Sequence, residues 1–248
     1  MKDLSPQSLG QIRMTKKERE NRKALARAPR PKIASTIVLT HGPKENPRIL
    51  MGQRSSKHDF MPSVYVFPGG RVDRGDSYID YEDDLSPRTQ AIMEAAYSPR
   101  KARAVVLASV RETYEETSLL LGKPSQVIRN HRDPSWDAFR EAGLKPSLDG
   151  IEVFGRAITP PHRHKRFDAW FFLKALDTPD LPKIEDSAEL LNVGWFTFDE
   201  IWKLELQRAT QMMLKVLQQF MAYDRPPAHI FYSHAKYGKF LTDTFPSR

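Results

Sequence analysis

Residues 111–116 read Arg111-Glu112-Thr113-Tyr114-Glu115-Glu116 and sit inside Lys101–Leu121, a run with no glycine or proline. That run predicts a helix, with Gly122 and Pro124 just beyond it as the stop signal. At helical spacing Glu112, Glu115 and Glu116 share an arc of about 100°, Glu112 lying one turn before the other two. The opposite arc carries Val106, Val110, Thr113, Thr117 and Leu121, which suits packing on a sheet; Val105, Ala108 and Leu119 extend apolar character toward the acidic side. Crowded carboxylates repel each other, and a hard divalent cation on oxygen ligands would offset that repulsion. Arg111, one turn from Glu115 and beside Glu112, is placed to orient a carboxylate. The plain alternative for three glutamates alone is a solvated acidic face.

Working upstream, Ile33–Thr40 and the apolar run from Arg48 to Met51 read as a hairpin-like pair of strands broken by His41-Gly42-Pro43. Tyr65–Phe67 then leads into Pro68-Gly69-Gly70, where two glycines permit a backbone course that side chains would block. The stretch from Ser77 to Arg100 is acidic, then interrupted by Pro87 and Pro99, with a short helix between Arg88 and Tyr97; it has the look of a lid-like insertion. Downstream, Ile151–Ile158 and Phe167–Leu176 are strand-like and flank a Pro-rich turn bearing His162 and His164, which reads as a plain loop in preference to a two-histidine metal site. Asn192–Thr197 is a further strand. Helices follow over about 198–206 and 209–223, where Met212, Met213, Val216, Leu217 and Phe220 recur at helical spacing as core or a dimer face. Strands and helices interleave without regular βαβ spacing, which favours an α/β or α+β sandwich.

Composition narrows the class. The chain has 248 residues and no cysteine, so disulfide scaffolds, zinc–cysteine sites and thiol nucleophiles are excluded. No apolar run approaches the roughly 20 residues of a membrane span. The net charge is +8, yet residues 1–32 alone hold ten basic and three acidic side chains, leaving the remainder at +1. A basic extension of this kind reads as a solvated tail more readily than as a nucleic-acid reader. With neither a secretory core nor a peroxisomal tripeptide, the expected location is cytoplasmic.

Gly70-Arg71-Val72-Asp73-Arg74-Gly75-Asp76, followed by Arg111-Glu112-Thr113-Tyr114-Glu115-Glu116-Thr117-Ser118-Leu119, resembles the Nudix box. The Arg-Glu-x-x-Glu-Glu core is intact. Asp76 stands where glutamate is usual, Thr113 replaces an aliphatic residue, Ser118 replaces the later glycine, and 34 residues separate Asp76 from Arg111 where the family pattern has seven. The excess coincides with the inserted stretch. Arg48-Ile49-Leu50-Met51 through Gln53-Arg54-Ser55, Phe60-Met61-Pro62 and Val66-Phe67-Pro68-Gly69-Gly70 are similar to the coenzyme A diphosphatase-like branch, as are Thr159-Pro160, Lys165-Arg166-Phe167-Asp168 and Phe171-Phe172.

The resemblance implies an α/β class Nudix-type α/β/α sandwich with a mixed sheet, a helical insertion and extra C-terminal helices. It implies a basic extension over 1–32, a hydrolase domain over 33–225 with the insertion at 77–103, and a tail over 226–248. Its expected cofactor is Mg2+ or Mn2+ on Glu115 and Glu116, with the Gly70 carbonyl nearby and Glu112 either assisting the metal or serving as general base oriented by Arg111. A base from a later loop is the other option, with Glu189 chosen over Glu185 and Asp186. Arg54, Arg71, Gly69 and Phe67 are the candidate substrate contacts. The expected reaction is hydrolysis of a nucleoside diphosphate joined to another moiety, such as coenzyme A or acyl-coenzyme A. The alternatives are ADP-ribose, dinucleoside polyphosphates or capped RNA, or a Nudix module that senses a nucleotide without cleaving it. The expected partner is a small-molecule nucleotide, with a homodimer allowed and neither membrane nor nucleic acid favoured.

Overall fold

The computed structural model describes residues 29–56, 62–127, 133–236 and 239–246. Most of the basic extension, residues 1–28, lies outside the described residues.

The organising strand is β1 (Lys32–His41). On one side it runs parallel to β8 (Phe167–Leu176) along its whole length, from Lys32 opposite Phe167 to His41 opposite Leu176. On the other side it is shared. Its C-terminal end pairs antiparallel with β2 (Arg48–Arg54), and its N-terminal half with β4 (Gly69–Arg71), placing Ser35 opposite Gly70. Beyond β2 lie β3 (Tyr65–Val66) and β9 (Leu190–Phe196), both antiparallel to it. Beyond β8 comes β7 (Glu152–Ile158), antiparallel through the Pro-rich turn. A separate two-stranded sheet joins β5 (Gly122–Pro124) to β6 (Leu144–Pro146).

The sheet continues past the predicted domain end. Residues 226–248, read from the sequence as a tail, carry β10 (Ile230–Lys236), which runs parallel to β7, and β11 (Lys239–Phe245), which pairs antiparallel with β10. The anchor of this hairpin is β7, which lies far away in sequence, so no local pattern announces that the segment joins the sheet.

Side-chain alternation along β1 sends Ile37 and Leu39 to one face and Val38 to the other, and each face carries its own core. The first face is covered by α1 (Pro87–Glu94) and α2 (Pro99–Thr117). The second is covered by α5 (Arg208–Met221), which follows the short α3 (Asp137–Glu141) and α4 (Phe198–Ile201) in chain order. Met213, Leu214, Val216, Leu217 and Phe220 of α5 are buried against Val38, Ile49, Met51, Phe154 and Phe231, so the periodic stripe is core. Burying such side chains contributes roughly 1.5–3 kcal/mol each. The result is the expected α/β/α sandwich on a mixed sheet. Among the described residues, no helix is long and apolar enough to cross a membrane.

Two expectations about α2 change. The helix ends at Thr117, because Ser118 takes a left-handed conformation (φ 60) and returns its N–H to the Tyr114 carbonyl at 2.8 Å. The stop is therefore Ser118, while Gly122 belongs to β5. Burial also extends around the helix: every residue from Ala104 to Arg111 is buried. The sheet covers one side, and the inserted stretch covers another with Ile79, Leu85, Ile92 and Met93.

That stretch is accordingly a wall of the core and not a lid. Arg88 on α1 donates to Glu152 Oε2 at 2.8 Å and to the Val153 carbonyl at 2.9 Å, and Thr89 Oγ1 donates to the Ile151 carbonyl at 3.2 Å. Tyr97 accepts a hydrogen bond from Trp170 Nε1 at 3.0 Å and donates to Asp168, itself held by two hydrogen bonds from Arg156.

Candidate active site

The site forms where β4 crosses α2. Gly69 has φ +151, and a Cβ there would strike the Ser35 carbonyl and Thr36 Cα, so only glycine lets β4 approach β1 this closely. Its N–H donates to Glu116 Oε2 at 2.8 Å. At Gly70 a Cβ would fall on the Glu112 carboxylate. The two glycines thus bring backbone into contact with two of the three glutamates.

A buried ion pair fixes the other side. Asp76, in a 3-10 turn over Gly75–Tyr78, is fully buried. It takes two hydrogen bonds from Arg111, Nε to Oδ1 at 2.9 Å and Nη2 to Oδ2 at 3.3 Å, and a third from the Asp73 N–H at 2.8 Å. The shorter carboxylate therefore reaches Arg111 in the bidentate manner that guanidinium geometry favours. Burial pushes the Asp76 carboxyl up, and Arg111 with the Asp73 N–H restrains the rise. The remaining Arg111 donors go to the Arg71 carbonyl at 2.9 Å, to Glu112 Oε1 at 2.9 Å and to Glu115 Oε2 at 2.8 Å. One buried guanidinium thereby ties the glycine strand, the 3-10 turn and two glutamates together.

Electrostatics mark the same cluster. Burial pushes the Glu112 carboxyl up to about 7, against the pull of Arg111 and with the added repulsion of Glu115 and Glu189. Glu116 is raised well above the usual carboxylate range by burial, while the Gly69 N–H and Arg54 draw it down and Glu112 and Glu189 push it up. Glu189 and Arg54 thus stand within electrostatic reach of the buried pair. The pairing of β2 with β9 explains why: Arg54 is opposite Leu190, and the Ser55 N–H donates to the Glu189 carbonyl at 2.9 Å. Of the other acids in that loop, Asp186 spends its two oxygens on the N–H groups of Asn192 and Val193, both at 2.9 Å, and Glu185 donates its N–H to the Thr117 carbonyl at 3.0 Å.

The predicted set therefore divides. Arg111, Glu112, Glu115, Glu116, Gly69, Gly70, Glu189 and Arg54 converge. Arg71 contributes its carbonyl while its side chain is exposed. Phe67 does not join them: it is buried in the second core with Ile49, Met51 and the side chains of α5. The period of 2 along Val66-Phe67 assigns it to that opposite face. Asp76, noticed only as a departure from a pattern, anchors the site.

A divalent cation suits the chemistry of these donors: hard oxygens, crowded and part-buried, with Glu112 and Glu116 raised in pKa chiefly by burial. Among the described residues no three such groups already surround one point. Glu115 commits Oε2 to Arg111 and Glu116 commits Oε2 to the Gly69 N–H.

No protein-family model matches the chain. It is similar to acyl-coenzyme A diphosphatase NUDT19 of Gallus gallus, 25% identical over 216 residues that cover 62% of this chain and 57% of that protein. It is also similar to putative nudix hydrolase 7 of Caenorhabditis elegans, 27% identical over 173 residues covering 65% and 50%. The chain spans about half the length of these curated relatives. Among solved structures, a NUDIX hydrolase from Alicyclobacillus acidocaldarius superposes with a TM-score of 0.60 at 22% identity, covering 77% of this chain and 93% of that one, and shares the fold. Motif and sequence similarity both liken the chain to Nudix hydrolases, and its fold is that of the Alicyclobacillus acidocaldarius NUDIX hydrolase.

Proposed function

We propose that the protein hydrolyses the diphosphate of a nucleoside diphosphate joined to another moiety, with coenzyme A or acyl-coenzyme A as the substrate. Water oxygen bonds to one phosphorus, the P–O–P linkage breaks, and a nucleoside 5′-phosphate, which for coenzyme A is adenosine 3′,5′-bisphosphate, and a phosphorylated product leave. The observation that carries this reading is the Arg111 clamp, which holds Glu112 and Glu115 while buried Asp76 holds Arg111. A solvated acidic helix face has no use for so many donors on one guanidinium. The substrate choice rests on the similarity to proteins named acyl-coenzyme A diphosphatase in Gallus gallus and Xenopus laevis.

Glu115 and Glu116, with the Gly70 carbonyl, would hold Mg2+ or Mn2+, which when bound offsets diphosphate charge and raises the acidity of water. Glu112 accepts a proton from the attacking water, since its carboxyl lies near neutrality and Arg111 fixes one of its oxygens. Glu189 is the second acceptor within reach of the same carboxylates. Arg54, beside Glu116, pairs with a diphosphate oxygen, and the Gly69–Arg71 strand lets the diphosphate lie close to backbone.

The test is release of the nucleoside 5′-phosphate half, adenosine 3′,5′-bisphosphate from coenzyme A and acyl-coenzyme A and a nucleotide lacking the 3′-phosphate from ADP-ribose, NADH and diadenosine polyphosphates, with Mg2+ or Mn2+, beside a Glu115→Gln/Glu116→Gln control. Cleavage of coenzyme A or its acyl form by the native protein, with the control inactive, is the expected result. Cleavage of another member alone moves the substrate, and binding without cleavage moves the reading to a nucleotide sensor.

A further inference from the structure

Ser35, in the N-terminal half of β1, is fully buried, yet its Oγ meets no hydrogen-bond partner among the described residues. A buried hydroxyl without a partner is destabilising, and native cores hold few of them. Packing alone does not call for serine here, since alanine fills nearly the same volume. The buried hydroxyls of α2, on the same side of the sheet, are placed differently. Ser109 donates to the Val106 carbonyl at 2.7 Å, Thr113 to the Ser109 carbonyl at 2.8 Å and Thr117 to the Thr113 carbonyl at 2.6 Å. Those three spend their protons on the helix's own backbone, and Ser35 does not.

Strand register says what the hydroxyl faces. Ser35 lies directly opposite Gly70 on β4 and beside Trp170 on β8. Alternation along β1 puts it on the face of Ile37 and Leu39, the face that Trp170 shares and that α2 covers. A Cβ on Gly70 would point to this same face and meet Glu112 Cδ, Oε1 and Oε2 at 2.4 to 2.5 Å. Cβ positions directly opposite in an antiparallel pair stand about 4.5–5.5 Å apart, so the Ser35 hydroxyl and the Glu112 carboxylate are neighbours across one strand spacing. A single water spans such a gap with a hydrogen bond at each end. On the other flank Trp170 has only a donor, already given to Tyr97 at 3.0 Å, so it cannot take the serine proton.

We propose that Ser35 is a positioning residue for Glu112: its hydroxyl donates to one bridging water, which donates in turn to Glu112 Oε2. Arg111 Nη1 already holds Oε1 at 2.9 Å, so the two contacts together fix the plane of the carboxylate, one from the helix and one from the sheet. The bare Cα of Gly70 leaves the path between serine and carboxylate open. The inference rests on the reading of Glu112 as the group that takes the proton from the attacking water, and it names a second residue that aims this group.

The test is a double-mutant cycle between Ser35→Ala and Glu112→Ala in the full chain, read by kinetics and by urea denaturation. Ser35→Ala alone is expected to lower kcat about 10- to 100-fold with KM unchanged, the scale on which residues supporting a reacting group act. It is also expected to lower the urea midpoint. In the Glu112→Ala background the same change should leave the midpoint unchanged or raise it, because the hydroxyl no longer has a carboxylate to serve, and should not lower the residual kcat further. An unchanged kcat in Ser35→Ala overturns the proposal. So does a midpoint shift of the same size and sign in both backgrounds, which is what a hydroxyl with a merely structural role gives. The denaturation arm needs no turnover. If the native protein cleaves no nucleotide, a midpoint loss confined to the background that keeps Glu112 supports the contact and only the hydrolase reading falls, whereas equal shifts overturn the contact whatever the enzyme cleaves.

Discussion

Gly70 and Glu112 stand so close that a methyl group on the first would occupy the position of the carboxylate of the second. Glu112 has little freedom to retreat, because Arg111 Nη1 holds its Oε1 at 2.9 Å and its side chain is largely buried. Gly70→Ala is therefore expected to displace Glu112 and lower kcat on the order of 100-fold, the scale at which small misplacements of reacting groups act. Thermal melting should change far less than activity. Full activity in the alanine variant would show that Glu112 does not work from this position.

The Asp76–Arg111 pair makes a second demand. Removing one partner of a buried ion pair leaves the other charge without its counterion, at a cost of about 3–5 kcal/mol. Arg111 retains Glu112 and Glu115 as partners, so Asp76→Asn should fall at the low end, about 3 kcal/mol in urea denaturation. Activity should drop as well, since Arg111 then orients the glutamates from a looser base. An unchanged urea midpoint would contradict the view that this pair anchors the helix to the loop.

Particular residues show what could be read from the sequence and what could not. The Arg111–Glu116 spacing placed three carboxylates together because helical geometry is local, and the glycine pair announced a close approach because no other residue tolerates one. Phe67 misled because a lone aromatic beside a glycine loop does not say which face of the strand it takes, and that face packs on α5. β10 was missed because its partner β7 lies more than 70 residues upstream, and β11 joins the sheet only by pairing with β10. The inserted stretch read as a lid because its acids and prolines outweigh Ile79, Leu85, Ile92 and Met93, whose burial depends on α2 and the sheet. The helix stop was misplaced because Gly122 is the stronger signal, whereas Ser118 takes the left-handed conformation against its own preference.

Ser118 offers a stabilisation that follows from this. A side chain at φ 60 costs roughly 1–2 kcal/mol relative to glycine in the left-handed region, part of which the extra freedom of glycine in the unfolded chain cancels. The side-chain hydrogen bond at stake is an exposed one from Ser118 Oγ to Glu185 Oε2 at 3.4 Å. Ser118→Gly should raise stability by about 0.5–1 kcal/mol, a shift of about 1–4 °C in Tm for a chain of this size, and leave kcat unchanged. A lowered Tm would mean that the serine hydroxyl does more at the helix end than cap a turn.

Tyr97 tests whether the inserted stretch is wall or lid. Its hydroxyl accepts from Trp170 Nε1 at 3.0 Å and donates to Asp168, whose two oxygens also bind Arg156 at 2.8 and 2.7 Å. Arg156 in turn lies over the rings of Trp170, Tyr232 and Phe245, so one phenol connects the insertion to β7, β8 and the C-terminal strands. Tyr97→Phe leaves the fully buried Trp170 N–H without its acceptor, which costs about 1–3 kcal/mol. A lid would show the opposite balance, with kcat or KM altered and global stability untouched. The wall predicts a lower urea midpoint with kinetic constants unchanged at temperatures where the protein stays folded, and it predicts that deleting residues 79–97 abolishes folding, because Ile79, Leu85, Ile92 and Met93 would leave one side of α2 bare.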